Sequence, residues 1–175
     1  MAGFDRAAKL ELDDLIVSIW TDVTVDKIFQ SQSLNRANWE NLQNSGALIG
    51  PFVVVAVGSS QEVDAVPVGI TAYDHSVSII LVRELDDPAF LVDPLAPADG
   101  IDYVSAMSGD LEALRTPLAR YDGSRFRCAW VGKPTANVSE FSPPNAVYYQ
   151  LLDGKFAGQL VCNLRTATLY DPRNP

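Results

Sequence analysis

Histidine occurs once in this chain of 175 residues, at position 75, and cysteine twice, at positions 128 and 162. Zinc sites are built from clustered cysteine and histidine, and the chain has no Cys-x-x-Cys or His-x-x-x-His spacing to start one. Long apolar runs are also missing. The longest, Phe52 to Val57, falls far short of the roughly 20 residues that cross a bilayer as a helix, so no membrane span is expected. The opening residues Met1 to Lys9 place no apolar run after their charges, and no secretory signal is expected there. Basic residues are outnumbered, 13 against 22 acidic, and the net charge of -9 opposes affinity for a polyanion.

Recognisable catalytic patterns are equally scarce. Asp74-His75-Ser76 contains the residue types of a nucleophilic triad, but neighbours on a strand point to opposite faces and cannot meet. Gly132-Lys133-Pro134 ends like a phosphate-binding loop, yet Arg127 stands where the first glycine is needed and Pro134 where Ser or Thr is needed. Asp86, Asp87, Asp93, Asp99 and Asp102 are clustered, but not at the spacing of a twelve-residue calcium loop, and they read as turn formers. Asn137-Val-Ser139 matches a glycosylation acceptor, which has no use without secretion. Arg115, Arg120, Arg125, Arg127 and Lys133 concentrate in one stretch, where pairing with the abundant acids is their expected use. Catalytic, cofactor and metal sites are therefore all expected to be absent.

What is present is a foldable pattern. Apolar residues make up 47 % of the chain, and a domain of this length removes roughly 70 % of its unfolded surface from water. Leu12, Leu15, Ile16, Ile19, Trp20 and Val23 form a helical stripe within Asp5 to Gln30, with Asp13, Asp14, Ser18 and Asp22 on the other side. The β-branched run Val23-Thr24-Val25 ends that helix or forces a restart at Asp26. Residues 31–50 are rich in Asn, Gln and Ser, and Trp39 and Leu42 suggest one helical turn there.

Phe52 to Val57 reads as a buried strand closed by Gly58-Ser59-Ser60. Val66 to Arg83 alternates through Thr71, Tyr73, His75, Val77, Ile79, Leu81 and Arg83, with Gly69 available for a bulge. Residues 86–100 hold three prolines and form a loop. Val104, Met107, Leu111, Leu114 and Leu118 make a second helix, capped by Asp99 or Asp102 and ended or kinked at Pro117. Arg125 to Val131 is a strand, 132–145 is irregular, and Ala146 to Leu152 pairs across Asp153-Gly154 with a last strand from Phe156 to Thr168. In that strand Phe156, Gly158, Leu160, Cys162, Leu164 and Thr166 share one face. Cys128 and Cys162 fall in strands and are expected as two buried thiols, although a disulfide between neighbouring strands is geometrically possible.

The expected fold is α+β, a mostly antiparallel sheet with two main helices packed on one face and long irregular loops. Residues 1–168 form a single domain and 169–175 an extended arm.

The order of these elements, from Leu12-Asp-Asp-Leu-Ile-Val-Ser-Ile-Trp20 through Phe52–Val57, Tyr73–Arg83 and Gly109–Arg115 to Leu160–Thr166, resembles the tail terminator proteins of long-tailed bacteriophages. It is similar, more loosely, to other head-to-tail joining proteins. The resemblance covers about residues 10–168 and is carried by layout, not by a short motif. It implies a non-enzymatic virion subunit without cofactor, assembled in the host cytoplasm, that forms a homohexameric ring and caps the tail tube. Its partners would be copies of itself, the tail tube and neck or connector proteins, with DNA passing through an acidic lumen without specific binding. Phe90, Leu91 and Val92 in the proline-rich loop and Tyr170 in the terminal arm would be intersubunit contacts, unless the loop folds back onto its own core. A neck adaptor is the nearest alternative. A small cytosolic enzyme with an acidic site, or an accessory domain of a larger complex, would be alternatives of another class.

Overall fold

A computed structural model describes residues 6–31, 36–63, 70–120, 128–130, 135–137 and 154–169. The first helix, α1 (Arg6–Ile19), stops where the β-branched residues begin, and a single 3-10 turn at Val25–Lys27 leads into a short strand, β1 (Ile28–Gln30). The helix thus ends before the β-branched run and restarts only as a short turn around Asp26, as expected, while the strand Ile28–Gln30 that follows was not expected. Asp13, expected on the solvated side of α1, is buried and paired with Lys9 one turn earlier. The stripe of Leu12, Ile16 and Trp20 is buried as its spacing requires.

The turn expected around Trp39 and Leu42 is a full helix, α2 (Arg36–Asn44). It ends in a Schellman motif: Gly46 takes φ 72°, its N–H donates to Gln43 O, and the Ala47 N–H donates to Leu42 O. Two lysines then hold the following carbonyls. Lys27 Nζ donates to Ala47 O and Ile49 O, at 2.6 and 3.1 Å, and Lys155 Nζ donates to Leu48 O at 3.1 Å.

Two long strands, β2 (Phe52–Glu62) and β3 (Ile70–Glu84), pair antiparallel from Phe52↔Val82 to Glu62↔Tyr73. β2 continues past the glycine expected to close it. The register shifts between Val57↔Val77 and Ser60↔His75, so the bulge lies at Gly58 and Ser59 of β2; Gly69 lies outside the described residues. On its other side β3 pairs with β6 (Lys155–Leu169) over its whole length, from Ile70↔Leu169 to Glu84↔Lys155. β1 adds to β2 in parallel, and β4 (Cys128–Trp130) and β5 (Thr135–Asn137) both pair antiparallel with β6. β5 lies inside the stretch expected to be irregular. The expected strand 146–152 lies outside the described residues. Among those residues the sheet runs β1-β2-β3-β6-β4, mostly antiparallel, in an α+β fold.

Alternation along the central strands fills two cores. Val53, Val55, Val57, Val77, Ile79, Leu81, Leu160 and Cys162 meet α1 and the third helix, α3 (Tyr103–Arg120), on one face. Phe52, Val54, Ile80, Val82 and Ala157 face the other way, toward Leu48, Phe29 and Leu42. The two main helices therefore share a face, as expected, and α2 serves the opposite one.

Asp102 caps α3 by accepting the Ser105 N–H at 2.9 Å. Met107, Leu111 and Leu114 are buried, but Tyr103 and not Val104 turns inward at the first turn. Pro117 does not end the helix, which runs on to Arg120. A proline in the last turn removes one hydrogen bond close to the end and leaves the turns before it intact. Cys128 pairs opposite Thr166, four residues from Cys162 on β6, so the two lie about 13 Å apart along the strand at 3.3 Å per residue. That exceeds disulfide reach, and Cys162 is a free buried thiol.

Gly158 marks where α3 sits closest to the sheet: a Cβ built there would lie 2.5 Å from Met107 Cγ and 2.9 Å from Leu111 Cδ1. Strand propensity favours alanine over glycine, but by less than overpacking costs. Gly158→Ala is therefore expected to lower stability by about 1–3 kcal/mol in urea unfolding, with part recovered in a Gly158→Ala, Met107→Ala double variant. An unchanged midpoint would contradict this contact.

Candidate functional site

The loop between β3 and α3 is built from its own short-range bonds. Asp87 Oδ1 accepts the Ala89 N–H at 2.8 Å and starts a 3-10 turn at Pro88–Phe90, where proline at the first position sacrifices no needed donor. The turn drives Phe90 into the core, edge-on to Tyr103 with 4.9 Å between centroids and to Phe156 with 5.8 Å. Beyond it, Leu91 bridges Ile101, Val92 N–H donates to Gly100 O, and Asp102 N–H donates to Phe90 O, so the excursion is closed at its base. Within it, Asp93 Oδ1 accepts the Leu95 N–H at 2.8 Å, and a second 3-10 turn spans Pro97–Asp99.

This closed loop carries apolar side chains outward. Leu95 is 95 % exposed, Val92 60 %, Val104 56 % and Ile101 50 %. Val92, Leu95 and Ile101 lie on the closed loop and Val104 on the first turn of α3, and exposed apolar side chains on such a hydrogen-bonded excursion are candidates for a contact surface. Phe90, expected as an intersubunit contact, is corrected here. At 1 % exposure it belongs to its own subunit's core, because its ring completes the Tyr103–Phe156 stack. Leu91 is half-buried beside Ile101, Val92 is on the surface, and Tyr170 lies outside the described residues. Leu95, Ile101 and Val104 were not among the expected contact residues. Val104 belongs to the periodic stripe of its helix, which predicts burial and not exposure, and Leu95 stands alone between two prolines with no periodic signal.

The loop is anchored electrostatically as well. Arg83, on β3, is 3 % exposed and distributes its guanidinium over three carboxylates: Nε to Asp110 at 2.8 Å, Nη2 to Asp22 at 2.8 Å and Nη1 to Asp87 at 3.1 Å. Its plane also lies 4.9 Å from the Trp20 ring. Burial works against the charged form, but the hydrogen bonds to Asp110, Asp22 and Asp87 outweigh it and hold the proton more firmly than usual. Asp87 is both an Arg83 partner and the residue that starts the Phe90 turn, so one side chain ties the exposed loop to the sheet.

A second surface feature is a cleft of about 580 Å³ at the open β1 edge, bounded by Ile28, Phe29 and Gln30 of β1 and by Asn38, Asn41 and Leu42 of α2. Lys9 of α1 also lines it. Gln30 Nε2 is buried without a hydrogen-bond partner.

His75 is fully buried on β3, with Nδ1 2.8 Å from Ser60 Oγ. Burial pulls its pKa below 6.5, keeping the ring neutral at pH 7. Asp74 points to the opposite face of the strand, so the triplet does not form a triad. Among the described residues no three of His, Cys, Asp and Glu gather to hold a metal ion. Arg115 spends its charge inside the chain, in two bonds to Glu112. Burial pushes the Cys162 thiol up to about 12, far from the range of a reactive thiolate.

Arg83→Ala would strand Asp87 and Asp110 and is expected to lose about 3–5 kcal/mol of stability. Asp22→Asn should lose less than about 1 kcal/mol, because the Asp22 side chain is 53 % exposed; chemical unfolding of both variants checks the ranking. For His75, the unfolded chain binds more protons than the folded one below pH 6.5. Stability is thus expected to fall as pH drops through that value, with a slope of up to about 1.4 kcal/mol per pH unit, and His75→Gln should flatten it. No family model matches the chain, and no curated protein matches it as a relative.

Proposed function

We propose that this protein is a structural subunit of the head-to-tail junction of a long-tailed bacteriophage, a tail terminator that closes into a homohexameric ring and caps the tail tube. The observation that supports an assembling subunit is the exposure of Val92, Leu95 and Ile101 on a loop closed at its base, with Val104 on the adjoining turn of α3, together called the ledge. Such side chains are held in water at a cost that a neighbour removes, on the order of 2 kcal/mol for each leucine fully covered. The element order supports the phage reading: a first helix, two long paired strands, a second main helix and a closing strand. The net charge of -9 fits a channel wall along which DNA slides without adhering.

The ledge suits a heterologous contact, in which a patch on one copy meets a different patch on the next, as a ring requires. The neighbouring proteins on the two faces of the ring would be the tail tube and the neck.

Mass measurement in solution, with imaging of the protein mixed with purified tail tubes, tests both halves. A closed oligomer seated on one end of each tube is expected, and Leu95→Asp should weaken the subunit contact at least tenfold, a loss of about 1.4 kcal/mol. A wild-type chain that stays at 19.0 kDa at high concentration, or rings that ignore tube ends, would sink the reading.

A further inference from the structure

We propose that the cleft at the β1 edge is the receptor for the loop 92–99 of a second copy of this chain, with Leu95 as the inserted side chain. The inference rests on the ring reading and names the counter-surface which that reading leaves open. Three features of the two sites complement one another.

The first is shape. Leu95 stands almost wholly in solvent on a loop closed at its base, while the cleft, about 580 Å³, lies within the size of pockets that enclose side chains and small ligands. Phe29 and Leu42 supply it with an apolar wall. A rigid loop loses little conformational freedom on docking, which favours tight association.

The second is charge. The stretch from Asp86 to Asp102 carries five aspartates and no lysine or arginine. The cleft is lined by amides and by Lys9, whose charge is already paired with Asp13, and no carboxylate is among its lining residues. Asp93 and Asp99 flank Leu95 and would enter a site with no carboxylate in its lining to repel them.

The third is hydrogen-bond count. Pro94 and Pro97 remove two backbone donors from the loop 92–99, leaving it with surplus acceptors. The cleft holds one unmet donor, Gln30 Nε2, which is buried with no partner. An unmet buried donor costs roughly 1–3 kcal/mol, and a loop carbonyl or carboxylate would remove that cost.

Position on the fold decides how the contact propagates. The ledge rises beside Phe90, whose core is shared with α1 and α3. The cleft lies at the edge strand, where α2 covers the opposite core at Phe29 and Leu42. A second copy is therefore joined head to tail, and its own free ledge is offered onward.

Two substitutions on solvent-exposed residues separate the halves of the contact. Leu95→Glu spoils the ledge, and Asn41→Trp fills the cleft. Each alone is expected to run at 19.0 kDa with an unchanged circular dichroism spectrum, at least a tenfold loss of self-association. Mixed in equal amounts they should form a two-chain species and nothing larger, since one intact ledge and one intact cleft remain. Asn41→Glu, which sets a carboxylate against the loop aspartates, should repeat the effect without added bulk. Assembly that survives both Asn41 variants but is lost with Leu95→Glu overturns the cleft assignment and leaves the ring reading standing. A wild-type chain that never self-associates overturns both.

Discussion

The structure depends on Arg83, the one buried cation among the described residues. Arg83 leaves the sheet on the face shared by both main helices, where an unpaired guanidinium would carry a penalty of several kcal/mol. Three carboxylates offset it, and each comes from a different segment: Asp22 from the turn after α1, Asp87 from the loop and Asp110 from α3. The sheet, the two helices and the loop are thus fastened at one point. Lysine could not replace it. Three nitrogens spread over a planar fork reach three separate acids, whereas an ammonium is one point charge, and the planar group also lies against Trp20. One cation facing three anions leaves a surplus of negative charge, tolerable because Asp22 is half in water.

From that point the exposed surface is determined by local chemistry. Asp87, held by Arg83, starts the turn that buries Phe90. Phe90 then locks onto Tyr103 and Phe156, and the Leu91–Ile101 bridge closes the loop. What is left outside is Val92, Leu95 and Ile101, with Val104 added by the first turn of α3. The apolar surface is exposed because the network gives the loop a definite shape. A loose proline-rich segment could have folded these side chains against its own chain, as Phe90 does.

The parts of this architecture that repeat with a period were legible in the sequence. Val77, Ile79 and Leu81 alternate with Ile80 and Val82, and every one is buried because the sheet has a core on both faces. Met107, Leu111 and Leu114 repeat at helical spacing and are buried together. What lacks a period was not legible. β1 has three residues, too few for alternation to register, and is defined by pairing with β2. α2 is short and carries three asparagines, which favour turns, among its nine residues, and its end is set by Gly46 and by the two lysines that hold the carbonyls after it. Asp13 broke the pattern in the other direction, since a lysine one turn away let a carboxylate lie in the buried stripe. The ledge was legible only as an apolar loop, and which of its side chains turned inward depended on ring contacts made elsewhere.

The candidate site shares that limit and makes physical sense of it. A pocket for catalysis gathers polar groups, whose types and spacings leave a trace in a sequence. A surface for another copy of the chain needs only shape, a few apolar atoms and opposite charge, and none of these imposes a motif. On the proposed reading the acidic balance sharpens the requirement further. Subunits of net charge -9 repel one another until screening takes over at about 10 Å in 0.1 M salt. A contact between them must therefore act at short range. An inserted leucine would do so, and a cleft lining without carboxylates would admit the loop aspartates beside it without cancelling the charge of the whole. On that reading the acidic residues that would keep DNA from adhering would also leave apolar insertion as the interaction able to hold the copies together.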